Sequence, residues 1–175
     1  MMPLILFKPQ ADYQRDTDEY EARDQFSLFM EAGGTLFDTA DVYASGAAEE
    51  LLGTLVAEAD VRDDVVIVTK AGGRRTPERR FDASRRHLLR ALEGSLERLQ
   101  TDYVDLYQIH WPDRRVNMFG GWGYRDYKDD YTAFEEVLAA LDPWVQKGAI
   151  RHIGVSNETA WGVMRFVEEA ERNGL

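Results

Sequence analysis

The chain contains no cysteine. That excludes a disulfide framework, a thiol nucleophile and any metal centre built on thiolates. It also lacks a long apolar run, and no stretch approaches the ~20 residues that a bilayer-spanning helix needs. The opening Met1-Met2-Pro3-Leu4-Ile5-Leu6-Phe7 is too short for a signal-peptide core and has no basic stretch before it. Positive charge is scarce as well. The formal net charge is -11, which argues against a nucleic-acid partner, because such binding rests on lysines and arginines neutralising phosphates. No internal repeat, low-complexity linker or metal-ligand cluster interrupts the text. The expectation is one cytoplasmic domain with no nucleic-acid or membrane partner.

What is present suits a globular protein. The 175 residues are 44% hydrophobic and 11% aromatic, enough for a core and too apolar for a disordered chain. The basic residues that exist are gathered: Lys70 to Arg90 holds eight of them against two acids. Such a segment could steer an anionic cofactor, or could simply be a solvated arginine-rich loop.

Two periodicities alternate along the chain. Asp16-Thr17-Asp18-Glu19 resembles a capping box, and behind it Ala22, Phe26, Phe29 and Met30 share one helical face that stops at Gly33-Gly34. Thr35 to Ala40 reads as a strand. A helix carrying Leu51, Leu52, Leu55 and Val56 follows, then Val65 to Thr69, apolar without alternation and rich in β-branched residues. That composition suits a parallel strand covered on both faces. Leu88, Leu89, Leu92, Leu96 and Leu99 mark another amphipathic helix, followed by a strand from Val104 to His110. Phe134, Leu138, Leu141 and Val145 mark the next helix, followed by a strand from Ile150 to Ser156. Trp161, Met164, Val167 and Ala170 mark the last. Strand and helix in alternation imply a parallel sheet. Four strands are regular and Pro3 to Phe7 offers a fifth, where a closed (β/α)8 barrel has eight. The connection from Trp111 to Asp130 is too long for a routine loop.

Asp38 and Tyr43, Lys70, and His110 fall at or just beyond the C-terminal ends of three successive strands, the rim where barrel enzymes gather their catalytic groups. Each alone has an ordinary reading: a turn former, a half-buried aromatic, a surface charge, a core histidine. Recurring together, they suggest proton delivery to a carbonyl. A free tyrosine titrates near ~10 and is a poor acid-base catalyst at neutral pH. An adjacent ammonium favours the phenolate, and a carboxylate holds that ammonium in place. A histidine can donate where negative charge develops on oxygen. No activated serine or cysteine accompanies them, so reduction would require a bound hydride donor.

Four stretches resemble the aldo-keto reductase family. Phe37-Asp38-Thr39-Ala40-Asp41-Val42-Tyr43, with Gly46 and Glu50-Leu51-Leu52-Gly53, is similar to the signature around its catalytic Asp and Tyr. Val68-Thr69-Lys70 is similar to the strand ending in its lysine, and Thr101 to His110 to its histidine strand. Ile153-Gly154-Val155-Ser156-Asn157 further resembles the strand whose Ser and Asn hold the nicotinamide carboxamide. Leu99-Gln100-Thr101-Asp102, His110-Trp111-Pro112 and Gly154 to Ala160 point to the Tas-type bacterial branch.

The resemblance implies a partial (β/α)8 TIM barrel, roughly its first half. It implies NADP(H) as cofactor and a small-molecule aldehyde or ketone as substrate. Asp38, Tyr43, Lys70 and His110 would be the catalytic tetrad. Asp38, Ser156 and Asn157 would bind the cofactor, and Tyr43, Trp111 and Trp122 would line the substrate pocket. No metal is implied. Phe119, Tyr124 and Tyr127 would join the two tryptophans as an aromatic lid over residues 111–130, or that loop packs as a simple surface insertion. Residues 1–15 lack the family's Gly-Thr-Met-like first strand, and its last three strands have no counterpart. A half barrel exposes sheet edges, so self-association or a missing C-terminal half is expected, with weak or no turnover by residues 1–175 alone. The alternatives are a non-catalytic cofactor-binding or regulatory module and an inactive truncated fragment.

Overall fold

The structure is a computed structural model and describes residues 4–5, 19–73, 81–114, 116 and 131–174. Among the described residues, five strands form one sheet: β1 (Leu4–Ile5), β2 (Leu36–Asp38), β3 (Val66–Ala71), β4 (Val104–Ile109) and β5 (Ile150–Val155). They lie in the order of the sequence and every pairing is parallel. Consecutive neighbours of one direction are the winding of a (β/α)8 barrel, whereas a doubly wound sheet reverses its order partway. Of the segment Pro3 to Phe7, Leu4–Ile5 lie among the described residues and form a strand, and the Thr35 to Ala40 strand is shorter than its text suggests.

The helices are α1 (Glu19–Glu31), α2 (Ala47–Ala59), α3 (Arg85–Leu99), α4 (Phe134–Gln146) and α5 (Ala160–Asn173). None among the described residues is long and apolar enough to cross a membrane. The capping box at the start of α1 begins at Asp16, outside the described residues. On α3, Leu88, Leu92 and Leu99 are fully buried, each worth roughly 1.5–3 kcal/mol over exposure. They join Phe37, Leu52, Ile67, Val104, Tyr107, Leu141 and Ile150 in one core between the sheet and its helices. Phe26 of α1 stacks on Phe37 of β2 with centroids 5.1 Å apart. The both-faces burial expected for the Val65 to Thr69 strand holds in part: every side chain from Ile67 to Ala71 is buried, while Val66 is 38% exposed.

Two glycines set the helix spacing. A Cβ on Gly53 would lie 2.5 Å from the Arg98 carbonyl oxygen and 2.7 Å from Leu99 Cα, so α2 and α3 meet backbone to backbone there. Gly46 precedes α2 at φ 101°, a left-handed conformation that other residues rarely adopt.

At the N-terminal end of the strands Asp105 is taken up by the fold. It accepts from the Ile67 amide at 2.9 Å and from Arg62 at 2.9 Å, with Arg151 at 3.3 Å. The far helix departs from expectation. α5 docks through Phe166, which meets Phe134 edge-on at 4.7 Å, and through Gly162 and Glu169. Trp161, Val163, Met164 and Val167 remain 41–57% exposed. The apolar stripe read from the sequence is therefore largely uncovered among the described residues.

Candidate active site

The C-terminal ends of β2, β3 and β4 bring four side chains together. Lys70 stands one residue before the end of β3 and is itself only 5% exposed. Its ammonium donates to Asp38 Oδ1 at the end of β2 and to the Thr39 carbonyl at 2.8 Å. The strand pairing prepares this contact: Asp38 lies opposite Val68, and the chain beyond β2 stays bound through Thr39 N to Val68 O and Asp41 N to Lys70 O. From there the backbone folds into a short 3-10 turn, Tyr43–Gly46, that carries the phenol. Lys70 Nζ lies 5.1 Å from the centre of the Tyr43 ring. His110, just past β4, meets the same ring edge-on with centroids 5.6 Å apart.

Electrostatics sharpen the picture. Burial draws the Lys70 ammonium below its ordinary range, opposed by its hydrogen bond and charge pairing with Asp38 and by the more distant charge of Glu49. Burial, aided by the neighbouring Lys70 charge, lowers His110 to about 4. The imidazole is therefore neutral at physiological pH. Its Nδ1 is buried with no hydrogen-bond partner among the described residues.

Ser156 and Asn157 sit on the adjacent rim, in the turn after β5. Ser156 N donates to the Ile109 carbonyl at 2.8 Å, continuing the sheet by one residue. Asn157 adopts φ 56°, a left-handed conformation that asparagine tolerates better than most residues. Its Nδ2 donates to the His110 carbonyl at 2.8 Å and to Ser156 Oγ at 3.0 Å. A carboxamide needs one acceptor and one donor opposite it. An exposed asparagine whose amide nitrogen is tethered, beside a serine hydroxyl, offers that pair.

Trp111 stacks between Phe81, 5.4 Å away, and His110, 6.0 Å away, which puts it beside the tetrad. Trp122, Phe119, Tyr124 and Tyr127 lie outside the described residues, as do Arg74, Arg75, Arg79 and Arg80 of the basic segment.

Glu49 escaped the reading of the sequence. It is fully buried on α2, accepts from the Thr69 hydroxyl at 2.5 Å and pairs with Arg98 of α3 at 2.7 Å. Its signal was available: Glu49, Leu52, Gly53 and Val56 share one helical face, so an acid stands on the apolar stripe.

Comparison with known proteins bears on the family and the fold. The family model described as aldo/keto reductase family matches residues 8–173. The chain is 36% identical to Protein tas of Escherichia coli over 180 residues, covering 93% of this chain and 51% of that one. It is 36% identical to aldo-keto reductase YhdN of Bacillus subtilis, covering 81% of this chain and 38% of that one. Among solved structures, aldo-keto reductase AKR11C1 from Bacillus halodurans in its holo form superposes with a TM-score of 0.69 at 30% identity. That match covers 87% of this chain and 46% of the other. An aldo/keto reductase from Klebsiella pneumoniae in complex with NADP and acetate gives 0.67 at 29%, covering 93% and 47%. The chain thus spans about half the length of the relatives first matched, and its sheet is a partial (β/α)8 barrel. With a model matched across nearly all its residues and relatives from the Tas-type branch, this chain belongs to the aldo/keto reductase family.

Proposed function

We propose that the chain carries the reducing site of an NADP(H)-dependent aldo-keto reductase, which converts an aldehyde or ketone to its alcohol. The observation that carries this reading is the convergence on one phenol: Lys70 approaches the Tyr43 ring from one strand and His110 from the next. The complex of the Klebsiella pneumoniae relative with NADP supports the choice of cofactor.

Ser156 and Asn157 would hold the nicotinamide carboxamide, and Asp38 would lie close to the cofactor while anchoring Lys70. A reduced nicotinamide held there would supply the hydride that the carbonyl carbon needs. Tyr43 gives its phenolic proton to the carbonyl oxygen, and the neighbouring ammonium eases that transfer by favouring the phenolate left behind. His110 is neutral, so it can donate one hydrogen bond to the carbonyl oxygen without competing as a cation. With Nδ1 buried and unpartnered, Nε2 is the nitrogen suited to carry that proton. Trp111, stacked on His110, would form one wall of the substrate pocket, with Trp122 in the loop beyond it.

The test combines NADPH fluorescence with reduction of an aromatic aldehyde, using Tyr43→Phe as control. Turnover that disappears in Tyr43→Phe supports the reductase. Binding without turnover supports a cofactor-binding module, and absence of both supports an inactive fragment.

A further inference from the structure

We propose that Glu49 is a positioning residue that acts on Lys70 from behind the sheet, keeping its amine charged and its strand fixed. The proposal rests on the reductase reading for its purpose, but its evidence is independent of turnover.

The geometry is a relay of three elements. Arg98 of α3 reaches Glu49 of α2 with Nε at 2.8 Å and a terminal nitrogen at 2.7 Å. Glu49 in turn accepts from the hydroxyl of Thr69 at 2.5 Å. Thr69 directly precedes Lys70 on β3, and successive strand residues point to opposite faces. The helix-side tether on Thr69 therefore fixes the segment that presents Lys70 on the other face. Gly46 keeps the path open: a Cβ there would stand 2.9 Å from Arg98 Cδ. A wholly buried carboxylate is costly unless paired and hydrogen-bonded, and one with no role beyond packing could be replaced by an apolar residue on that stripe.

Charge supplies the second half of the argument. Lys70 is faced by Asp38 from β2, Tyr43 from the 3-10 turn, His110 from the end of β4 and Glu49 from α2. Asp41 donates its amide to the Lys70 carbonyl, and Arg98 and Tyr107 lie close to Glu49. Burial works against the ammonium, and Glu49 is the second acid, after Asp38, that sustains it. Asp38 also adjoins the proposed cofactor site, whereas Glu49 is screened from it by the strand.

The experiment follows the carbon-13 ε resonances of the lysines through a pH titration of the chain itself. There are four lysines, and Lys70→Arg identifies the signal. In Glu49→Gln the Lys70 midpoint is expected to move to lower pH. In Thr69→Val it should move the same way by less, and this variant stands in if Glu49→Gln does not fold. Leu52→Ala, an apolar truncation on the same face of α2, should leave the midpoint where it is. An unchanged midpoint in the folded Glu49 or Thr69 variant overturns the proposal, as does an equal shift in Leu52→Ala. Failure of the reductase reading would appear only in the NADPH assays and would leave this titration untouched.

Discussion

The side-chain amide of Asn157 donates to the main-chain carbonyl of His110 at 2.8 Å. One hydrogen bond thus joins the rim of β5 to the rim of β4, and couples the residue proposed to hold the nicotinamide with the one proposed to face the carbonyl. Asn157→Ala should lose both the tether and the amide. The expected result is NADPH affinity weakened at least tenfold, about 1.4 kcal/mol, with the stability midpoint in urea moving far less. Fluorescence titration beside urea unfolding checks it.

Asp38→Asn leaves the Lys70 ammonium buried without its counter-charge. Breaking a pair of this kind costs on the order of 3 kcal/mol. The Lys70 titration should move to lower pH, because the opposing partner is gone and burial remains. The deficit against wild type should therefore shrink as pH rises and the lysine becomes neutral. Urea unfolding at pH 7 and pH 9.5 measures the difference, and an equal deficit at both would refute this account.

His110 is neutral in the folded protein down to about 4, against an ordinary 6.5. Between those values the unfolded chain binds the extra proton, so stability falls as pH is lowered through that window. The contribution is complete above pH 6.5 and lost below about 4, on the order of 3 kcal/mol. His110→Asn should flatten this part of the profile. Comparing urea midpoints of the two proteins at pH 7.5 and 4.5 isolates the imidazole from the titrating acids they share.

Gly53→Ala inserts a methyl group against the Arg98 carbonyl and the Leu99 backbone. Backbone cannot rotate aside as a side chain can, so the cost should reach roughly 1–3 kcal/mol despite the gain in helix propensity. Ala57→Gly, on the exposed face of the same helix, should lose only about 1 kcal/mol. Chemical denaturation ranks the two.

Met164→Lys with Val167→Lys should change stability by less than about 0.5 kcal/mol, since both side chains are more than half exposed. The same pair should clearly lower fluorescence of a hydrophobic dye bound to the protein. A large loss of stability would mean that these residues are packed.

Much of this architecture was legible in the sequence because β3 and β4 are largely covered on both faces. Val65 to Thr69 and Val104 to His110 are rich in apolar residues, and Asp38, Lys70 and His110 stand at or within one residue of the ends of β2, β3 and β4. Asp38, Lys70 and His110 could be placed on one rim for that reason. Strand ends were less legible. β2 keeps only Leu36–Asp38 in ladder form, because past Asp38 the backbone turns to carry Tyr43 while still hydrogen-bonding to β3. Which face of α5 is covered could not be read from its periodicity. Phe166 and Gly162 dock it, and the more apolar row with Trp161 and Met164 stays outside. The place of Glu49 on an apolar stripe was legible, but its partners, Thr69 and Arg98, lie 20 and 49 positions away and were not.

Since spatial neighbours in the sheet follow the order of translation, nothing in the tetrad waits for a later segment. Asp38, Tyr43, Lys70 and His110 all precede Trp111, and each strand adds to one already made. Each pairing nevertheless spans a whole intervening helix, and parallel pairing across such a crossover closes slowly. A nascent polypeptide accordingly carries all four side chains proposed to handle the proton before β5 has been made.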